Sequence, residues 1–361
     1  MKLLLISLGK LTGALLESAA RDGRFSHITV ASRNAEYGRA KVNAVRIGAA
    51  LEGEYPQIDF VPFDLNAANA GEVLKRIAPD IAFAAPSLMP WWRLDQQTDP
   101  KVRAIPFAGW MACHLAPMLK LRDAWAKSEL HCPWVAASYP DVVNAVLHLT
   151  GIGPSAGSGN VAECVPKIRF LAAQQAKAPP KEIEVRLVAQ HALEYFLYGD
   201  APAKDWPPFL LKITWHGHDI TLAVRDRLKT KMPIPYDLDF NRITASATLD
   251  LLAALTGDQT VSLHAPAPNG LLGGYPVQVS RRGIVVDLPP EWDLERAIGV
   301  NAASLAFDGI ATLDKAGTVT FTDKTAAALK ALLGERIETL KPETADAMAA
   351  KLVAAVTSPS R

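Results

Sequence analysis

Residues 1–34 read MKLLLISLGKLTGALLESAARDGRFSHITVASRN. The short apolar run from Leu3 to Ile6 is typical of a strand buried on both faces of a parallel sheet. Gly9 and Gly13 follow, and apolar residues then recur at helical spacing until a second apolar run at Ile28 to Ala31. The order strand, glycine turn, helix, strand predicts a βαβ unit, with which dinucleotide-binding domains begin.

The composition limits the class of protein. The chain has 361 residues, of which 49% are hydrophobic and 21% charged, and its formal net charge is +1. It is long enough for two domains, and the balanced charge argues against nucleic-acid or membrane partners. No apolar run approaches the roughly 18 residues of a membrane span, and the apolar start is too short for a signal peptide. Three widely spaced cysteines indicate free thiols, so we predict a cytoplasmic protein.

The glycine turn resembles the motif G-x-G-x-x-G with two replacements. Gly9 occupies the middle position, where a side chain would keep a pyrophosphate from the backbone, whereas Ser7 and Thr12 replace the outer glycines. The N-terminus of the following helix would present free N–H groups to phosphate. The turn therefore marks a cofactor site or is a tight turn without a ligand. If it is a site, the predicted contacts are Ser7, Gly9, Lys10, Leu11 and Thr12.

The end of the second strand indicates which dinucleotide is preferred. An acidic residue there binds the ribose of NAD, whereas an arginine accommodates the 2′-phosphate of NADP. Here the residues are Ser32 and Arg33. We therefore predict NADP(H) in preference to NAD(H); the alternative is that Arg33 is an ordinary surface arginine.

Strands and helices continue to alternate after this unit. Further strands are predicted at 58–63, 81–85 and 134–137, with helices at 37–51, 71–77 and 112–126. This alternation predicts an α/β fold whose N-terminal domain is a Rossmann-like, doubly wound parallel sheet. Ligands bind beyond the carboxyl ends of such strands. The further predicted cofactor contacts are Asn34, Asp64, Leu65, Ala85, Pro86, Ser87, Ser138 and Asn144.

The second half of the chain has a different pattern. The glycine-rich residues 151–160 suit a crossover between domains. Beyond them, strands are predicted at 182–192, 210–215, 220–224, 260–264, 277–280 and 284–288, with one long helix at 241–255. The predicted domains are therefore 1–150, an α+β substrate and dimerisation domain at 151–323, and C-terminal helices within 324–361 that pack on the first domain. A homodimer is expected.

The first 150 residues are similar to the saccharopine dehydrogenase and reductase family, and to related opine- and dihydrodipicolinate-reductase-like enzymes. The similarity rests on the Gly9 turn, the ASRN sequence at the end of the second strand, Asp64, and the polar junction from Ser138 to Asn144. It implies a two-domain NADP(H) oxidoreductase that reduces an imine formed between an amine and an oxo acid.

Imine reduction needs a proton donor, and histidine is the usual one near neutral pH. The candidates are His264 and His191, with Tyr139 as a further acid; each histidine has a structural role as its alternative. Residues predicted to contact a small-molecule substrate are Trp91, Trp92, Asn160, Tyr275 and Arg281, the last by pairing with a carboxylate. The tryptophans also suit core packing or dimer contacts. No metal site is predicted, because His216 and His218 flank a hairpin glycine without other ligands nearby.

Two other functions stay open. A Rossmann-like protein with a weakened glycine motif can bind a nucleotide or a partner without turnover. A semialdehyde dehydrogenase has this architecture but needs a nucleophilic cysteine opposite a histidine, for which Cys164 is the candidate.

Overall fold

The computed structural model describes residues 1–199, 205–235 and 237–357. The last four residues of the predicted C-terminal segment, 358–361, lie outside the described residues. Up to residue 176 the elements are β1 (Lys2–Ile6), α1 (Lys10–Arg21), β2 (His27–Ser32), α2 (Ala35–Leu51), β3 (Gln57–Pro62), α3 (Ala70–Ile77), β4 (Ile81–Ala84), α4 (Trp91–Asp95), α5 (Pro100–Arg103), α6 (Ala112–Ser128), β5 (Trp134–Ala136), α7 (Pro140–Leu149), β6 (Ala156–Gly157) and α8 (Val161–Ala176).

Six strands form one parallel sheet in the order β3-β2-β1-β4-β5-β6. Its central strand is buried on both faces, since Leu4 and Ile6 belong to one apolar cluster and Leu3 and Leu5 to another. This is the period-two alternation of a strand between two helical layers. The predicted doubly wound α/β fold is confirmed. The strand order reverses between β1 and β4, so a crevice opens there at the carboxyl edge.

The remainder of the chain adds three small antiparallel sheets and several helices. The sheets are β7-β8-β9, β10-β11-β12 and β13-β14-β15. The elements are β7 (Ile183–Val188), α9 (Ala192–Tyr198), β8 (Leu210–Trp215), β9 (His218–Asp219), α10 (Thr221–Arg225), α11 (Asn241–Thr256), β10 (Val261–Pro266), β11 (Gly274–Ser280), β12 (Gly283–Val286), α12 (Leu294–Asp308), β13 (Ile310–Leu313), β14 (Val319–Phe321), α13 (Asp323–Leu333), β15 (Thr339–Leu340) and α14 (Ala345–Thr357).

Several sequence-based assignments in this half were wrong. The strand predicted at 220–224 is the helix α10, and Asp219 Oδ1, just before it, accepts a hydrogen bond from the N–H of Thr221, its first residue (2.8 Å). The helices α8 and α12 were not predicted. The glycine-rich residues 151–160 do more than connect, because β6 lies within them and pairs with β5.

The C-terminal elements pack on the helical layer of the parallel sheet. α14 lies against α6, and Leu352 and Leu329 belong to the same buried cluster as Leu4. The division of the chain into domains stays a prediction. In the described ranges no helix is long and apolar enough to span a membrane, and no three His, Cys, Asp or Glu side chains converge as metal ligands would.

Candidate active site

Two adjoining cavities lie at the carboxyl edge of the parallel sheet, where the strand order reverses. One measures about 640 Å³ and runs along the ends of β1, β2 and β3, and the other measures about 400 Å³ and extends from the glycine turn toward the end of β5. Ser7, Leu8, Gly9 and Ser87 line both. Every predicted cofactor contact except Asn144 lines one of the two cavities.

The irregular glycine turn has an open backbone and one residue with positive φ. Ser7, at the position of the first glycine, has a φ of 72°, in the left-handed region that usually favours glycine. An added Cβ at Gly9 would meet nothing within 4 Å, so its backbone faces open space. At Gly13 an added Cβ would meet Lys41 Cε at 3.6 Å, an ordinary contact, so close helix packing does not require that glycine.

The N-terminus of α1 faces this open space. Gly9 caps the helix without a side-chain hydrogen bond, and the first turn contains no acidic residue. Thr12 is fully buried, lines the second cavity, and its hydroxyl has no hydrogen-bond partner among the described residues. Free N–H groups, a positive dipole end and an unpartnered hydroxyl fit a pyrophosphate here.

The far end of the first cavity contains two basic residues. Ser32 and Arg33 line it at the position where a carboxylate would bind the ribose of NAD. Lys120 lines it from α6, where its ammonium contacts the side-chain oxygens of Asn66 (2.9 Å) and Asp346 (2.9 Å). Asp64 also lines it, but its Oδ1 accepts hydrogen bonds from the Asn66 backbone N–H (3.0 Å) and side-chain amide (2.9 Å). These bonds, with smaller effects of Arg33 and Lys120, hold the pKa of Asp64 below its usual value.

A histidine–aspartate pair lies near the second cavity. His191, just before α9, has Nδ1 2.9 Å from Oδ2 of Asp308, the last residue of α12. The same oxygen accepts hydrogen bonds from the Tyr139 hydroxyl (2.9 Å) and the Gln190 amide (2.6 Å). The exposed fraction is 11% for the His191 side chain and 1% for that of Asp308. The carboxylate therefore fixes the ring and leaves Nε2 as the nitrogen that can exchange a proton.

The two partners shift each other's pKa toward the ion pair. Burial alone would lower the pKa of His191, but Asp308, together with Asp141 and Glu163, outweighs it and raises that pKa above its usual value. Burial alone would raise the pKa of Asp308, but His191 and the hydrogen bonds from Gln190 and Tyr139 hold it below its usual range. The ion pair thus favours the protonated imidazole more than in a free histidine.

Aromatic rings connect this pair to the second cavity. The Phe107 ring centroid lies 4.8 Å from that of His191 and 5.8 Å from that of His114. His114 lines the cavity together with Ser138, whose hydroxyl donates to the Pro86 carbonyl oxygen (2.7 Å). His191 itself lines neither cavity, and it is connected to the second cavity through the ring of Phe107 and then that of His114.

His264 does not occupy the predicted place. It lies on β10, where Nε2 accepts a hydrogen bond from the Leu187 N–H (3.1 Å), and it lines neither cavity. Burial, with Arg186 and Arg169 nearby, lowers its pKa to about 3. A histidine with that pKa is neutral and hydrogen-bonded to the backbone, so its role is structural. Of the three predicted acids, His191 and Tyr139 meet at Asp308, and Tyr139 positions that carboxylate.

The predicted substrate contacts are distributed unevenly. Trp91 and Trp92 line the second cavity. Asn160 caps α8, and its side chain lies close enough to Asp141 to help lower the pKa of that carboxyl. Tyr275 is fully buried and donates to the Leu272 carbonyl oxygen (2.8 Å), while the exposed Arg281 pairs with Asp258 (2.7 Å). Neither Tyr275 nor Arg281 lines the two cavities, because β11 carries them into the core and to a distant turn.

Two predicted residues have environments that differ from their assigned roles. Cys164 is 1% exposed, and burial, with Glu194 and Glu163 nearby, raises its pKa well above the usual value. The thiol is therefore protonated and a poor nucleophile, against the semialdehyde dehydrogenase interpretation. Asn144 is fully buried on α7, one turn after Asp141, and not at the cavity wall.

Five residues at the site were not predicted from the sequence. The fold brings them here from separate elements: Phe107, His114, Lys120, Gln190 and Asp308. For Asp308 a signal was available: Asp293 caps the start of α12, and Gly309 ends it with a φ of 102°, the usual pair of helix boundaries. For α8 the signal was the capping box of Asn160 with Glu163.

The sheet order, the glycine turn and the crevice define a dinucleotide-binding fold of the Rossmann class. No protein-family model matches the chain, and no curated protein matches its sequence. Among solved structures the chain resembles malate dehydrogenase from Plasmodium falciparum with a TM-score of 0.56 at 11% identity, over 91% of this chain and 99% of that one.

Two lactate dehydrogenases are similar in the same way. The minor L-lactate dehydrogenase from Enterococcus mundtii gives a TM-score of 0.57 at 11% identity, over 84% of this chain and 95% of that one. The lactate dehydrogenase from Eimeria maxima, solved with NADH and oxamate, gives a TM-score of 0.58 at 10% identity, over 84% of this chain and 91% of that one. At such identities the likeness establishes the fold. These neighbours are malate and lactate dehydrogenases rather than saccharopine or opine enzymes, so the resemblance drawn from the first 150 residues is supported as far as the shared fold and stays a prediction beyond it.

Proposed function

We propose that this protein is an NADP(H)-dependent dehydrogenase that interconverts a carbonyl group and an alcohol, with His191 as the proton donor and acceptor. The observation that carries this proposal is the pair of His191 and Asp308, which Phe107 and His114 connect to the cavity at the switch point of the parallel sheet. A sheet that bound a nucleotide without turnover would have no need of a buried, oriented acid at this place.

The residues present fit the cofactor. The open backbone at Gly9 and the uncapped start of α1 would hold the pyrophosphate, and Ser32, Arg33 and Lys120 would hold the ribose with its 2′-phosphate. The neighbour from Eimeria maxima was solved with NADH. The preference for NADP(H) here rests on the two basic residues and on Ser32 in place of a carboxylate.

The chain's own residues supply the proton and its control. When bound, the nicotinamide supplies a hydride, with its electron pair, to the carbonyl carbon. His191 gives a proton from Nε2 to the oxygen, so that C=O becomes CH–OH, and in the reverse direction it takes that proton back. Asp308 holds the ring through Nδ1 and stabilises the imidazolium, while Tyr139 and Gln190 hold Asp308.

Reduction of an imine needs the same hydride and the same proton, and the similarity to imine-reducing enzymes motivated that prediction. It stays a prediction, as do assembly as a homodimer and a cytoplasmic location. Both reactions make the same demand on His191, and the carbonyl reaction is proposed because the structural neighbours are malate and lactate dehydrogenases.

Cofactor titration tests the proposal directly. Binding of NADPH and NADH is followed through quenching of tryptophan fluorescence, since Trp91 and Trp92 line the second cavity. We expect saturable binding of both, with NADPH the tighter. Absence of binding at millimolar cofactor would reject the proposed function, and tighter binding of NADH would reject the preference.

A further inference from the structure

The two cavities meet at the glycine turn, since Ser7, Leu8, Gly9 and Ser87 line both. The proposed pyrophosphate site is at this turn, and the proposed site of the adenine-bearing ribose is at Ser32, in the first cavity alone. The two nucleotide halves of a dinucleotide diverge from the pyrophosphate across the switch point of the sheet. With one half in the first cavity, the nicotinamide half extends into the second.

The walls of the second cavity suit a flat ring with few polar groups. Apolar side chains contribute much of the lining, among them Leu8, Leu11, Pro90, Trp91 and Trp92. The described residues that line it include no carboxylate, and the charged one is Lys10, beside the glycine turn. An apolar cavity with a small number of polar groups is typical of a site for an aromatic ligand, in which those polar groups fix its orientation.

Two buried polar side chains at this cavity have no hydrogen-bond partner among the described residues. One is Thr12, in the first turn of α1 and so beside the proposed pyrophosphate site. The other is His114, on α6, which is 6% exposed and has both ring nitrogens unpartnered. A buried polar group without a partner lowers stability. A side chain that is kept in this state at a cavity wall is therefore expected to find its partner in a ligand.

The ring of His114 is neutral. Burial, with the charge of His191 nearby, lowers its pKa to about 4. A neutral imidazole has one nitrogen that donates and one that accepts. A primary carboxamide also has both functions, because its NH₂ group donates and its oxygen accepts. It can therefore pair with whichever nitrogen of His114 faces the cavity, and the other nitrogen, which points away, is left to a different partner.

We propose that His114 hydrogen-bonds the carboxamide of the nicotinamide and so fixes the rotation of that ring in the second cavity. The inference rests on the proposed function and adds a residue that positions the cofactor. Rotation of the ring about its bond to the ribose decides which face of the reacting carbon is turned toward the substrate. One hydrogen bond at the carboxamide selects a single orientation, and such positioning raises the rate of a transfer between two bound groups.

Two ligands that differ at the nicotinamide test this contact: NADP⁺ and 2′-phospho-ADP-ribose, in which a hydroxyl replaces the ring. Isothermal titration calorimetry gives the Kd of each for the full-length wild type and for His114→Leu. Loss of one neutral hydrogen bond should raise the Kd for NADP⁺ by about three- to tenfold, while that for 2′-phospho-ADP-ribose stays within about twofold. Equal changes for the two ligands, or an unchanged Kd for NADP⁺, would overturn the inference.

The stability of the variants is measured separately. Leucine replaces a ring that has no hydrogen bond to the described part of the chain, so the midpoint of thermal unfolding should stay within about 3 °C. His114→Met, whose flexible side chain fits irregular space, gives the same comparison in a second apolar variant. The control is His218→Leu, at an exposed position of β9 that lines neither cavity, and both constants should stay unchanged.

Two analogues of NADP⁺ assign the contact to the carboxamide. The 3-acetylpyridine analogue has a methyl group in place of NH₂, and the thionicotinamide analogue has sulfur, a weak acceptor, in place of oxygen. The increase in Kd caused by His114→Leu should be about twofold or more smaller with one of them, according to which ring nitrogen faces the cavity. An equal increase with NADP⁺ and both analogues would contradict the assignment. Failure of the wild type to bind either NADP⁺ or NADPH would reject the proposed function, whereas normal NADP⁺ affinity in His114→Leu rejects this inference alone.

Discussion

The Nδ1 atom of His191 lies 2.9 Å from Oδ2 of Asp308, although 117 residues separate the two in sequence. The end of α12 and the start of α9 meet at the edge of the parallel sheet, and Tyr139, which follows β5, joins them through its hydroxyl. Three separate parts of the chain thus fix one imidazole. Such convergence costs conformational freedom and is typical of a site in which the ring must keep one orientation.

Replacement of His191 should affect turnover and not cofactor binding. His191→Asn removes the proton donor, so kcat should fall by about 10²- to 10⁴-fold, while the Kd for NADPH stays within a factor of about two. Turnover is measured by NADPH absorbance with the best substrate of a panel of carbonyl compounds. The matched control is His264→Gln, which keeps an acceptor for the Leu187 N–H and should leave kcat unchanged. The reverse pattern would make His264 the donor.

Removal of the Asp308 charge should lower the pKa of His191. Burial lowers that pKa, whereas Asp308, with Asp141 and Glu163, raises it, so the pKa should fall in Asp308→Asn. Reduction requires the protonated ring, so its rate falls as the pH rises through this pKa, and the variant should lose rate at lower pH than the wild type. NMR of ¹³C-labelled histidine measures the pKa without a substrate. An unchanged or higher pKa would contradict the ion pair.

The fold of the first 150 residues was predictable because each step has a local cause. Leu3 to Ile6 and Ile28 to Ala31 are short apolar runs, and a glycine turn and a helical pattern lie between them, so the βαβ unit is visible in sequence. In the second half the helix α12 was missed although Asp293 and Gly309 mark its ends, because its hydrophobic residues are not confined to one face and its pattern is weak.

The candidate site was predictable where residues lie at strand ends and not where distant elements meet. Ser32, Arg33 and Ser138 follow predicted strands, and their approximate position follows from the fold. Asp308 reaches His191 through tertiary packing that no local pattern encodes. Ser7 replaces a glycine of the motif but has a left-handed φ of 72°. Two further non-glycine residues with left-handed φ follow β5 and β6, namely Tyr139 (52°) and Asn160 (50°). Such strained positions cluster at functional sites.

Gly9→Ala should separate cofactor binding from stability. The added Cβ meets no protein atom within 4 Å, and φ at this residue is −86°, which alanine adopts readily. The midpoint of thermal unfolding should therefore stay within about 2 °C, while the Kd for NADPH should rise by about tenfold or more because the methyl group occupies the pyrophosphate's place. Gly13→Ala is the matched control, with ordinary contact to Lys41 and no expected loss of affinity. Equal affinities of the two variants would place the pyrophosphate elsewhere.

Arg33→Asp should discriminate between the two dinucleotides. The substitution places a carboxylate where the 2′-phosphate of NADPH is proposed to bind, so the Kd for NADPH should rise by about tenfold or more and that for NADH should not rise. Arg39→Asp, with an exposed side chain that lines neither cavity, controls for a general change of charge. Isothermal titration calorimetry gives both constants. Equal losses for the two cofactors would reject the assignment of the 2′-phosphate to Arg33.

Asp141 should make the protein less stable as the pH rises. Burial raises its pKa to about 7 in the folded state, although the His191 charge, the His191 N–H and Asn160 each act to lower that pKa. The pKa in the unfolded state is about 3.9. The folded state therefore binds the proton more tightly, so this group's contribution to the free energy of unfolding decreases between about pH 4 and pH 7 and is constant above that range.

Asp141→Asn removes the titration. From pH 5 to pH 8 the free energy of unfolding in urea should fall further in the wild type than in this variant, by on the order of 1–3 kcal/mol. Asp258→Asn should follow the wild type, because that carboxylate is exposed. Parallel curves for the wild type and Asp141→Asn would show that Asp141 is ionised in the folded protein across this range.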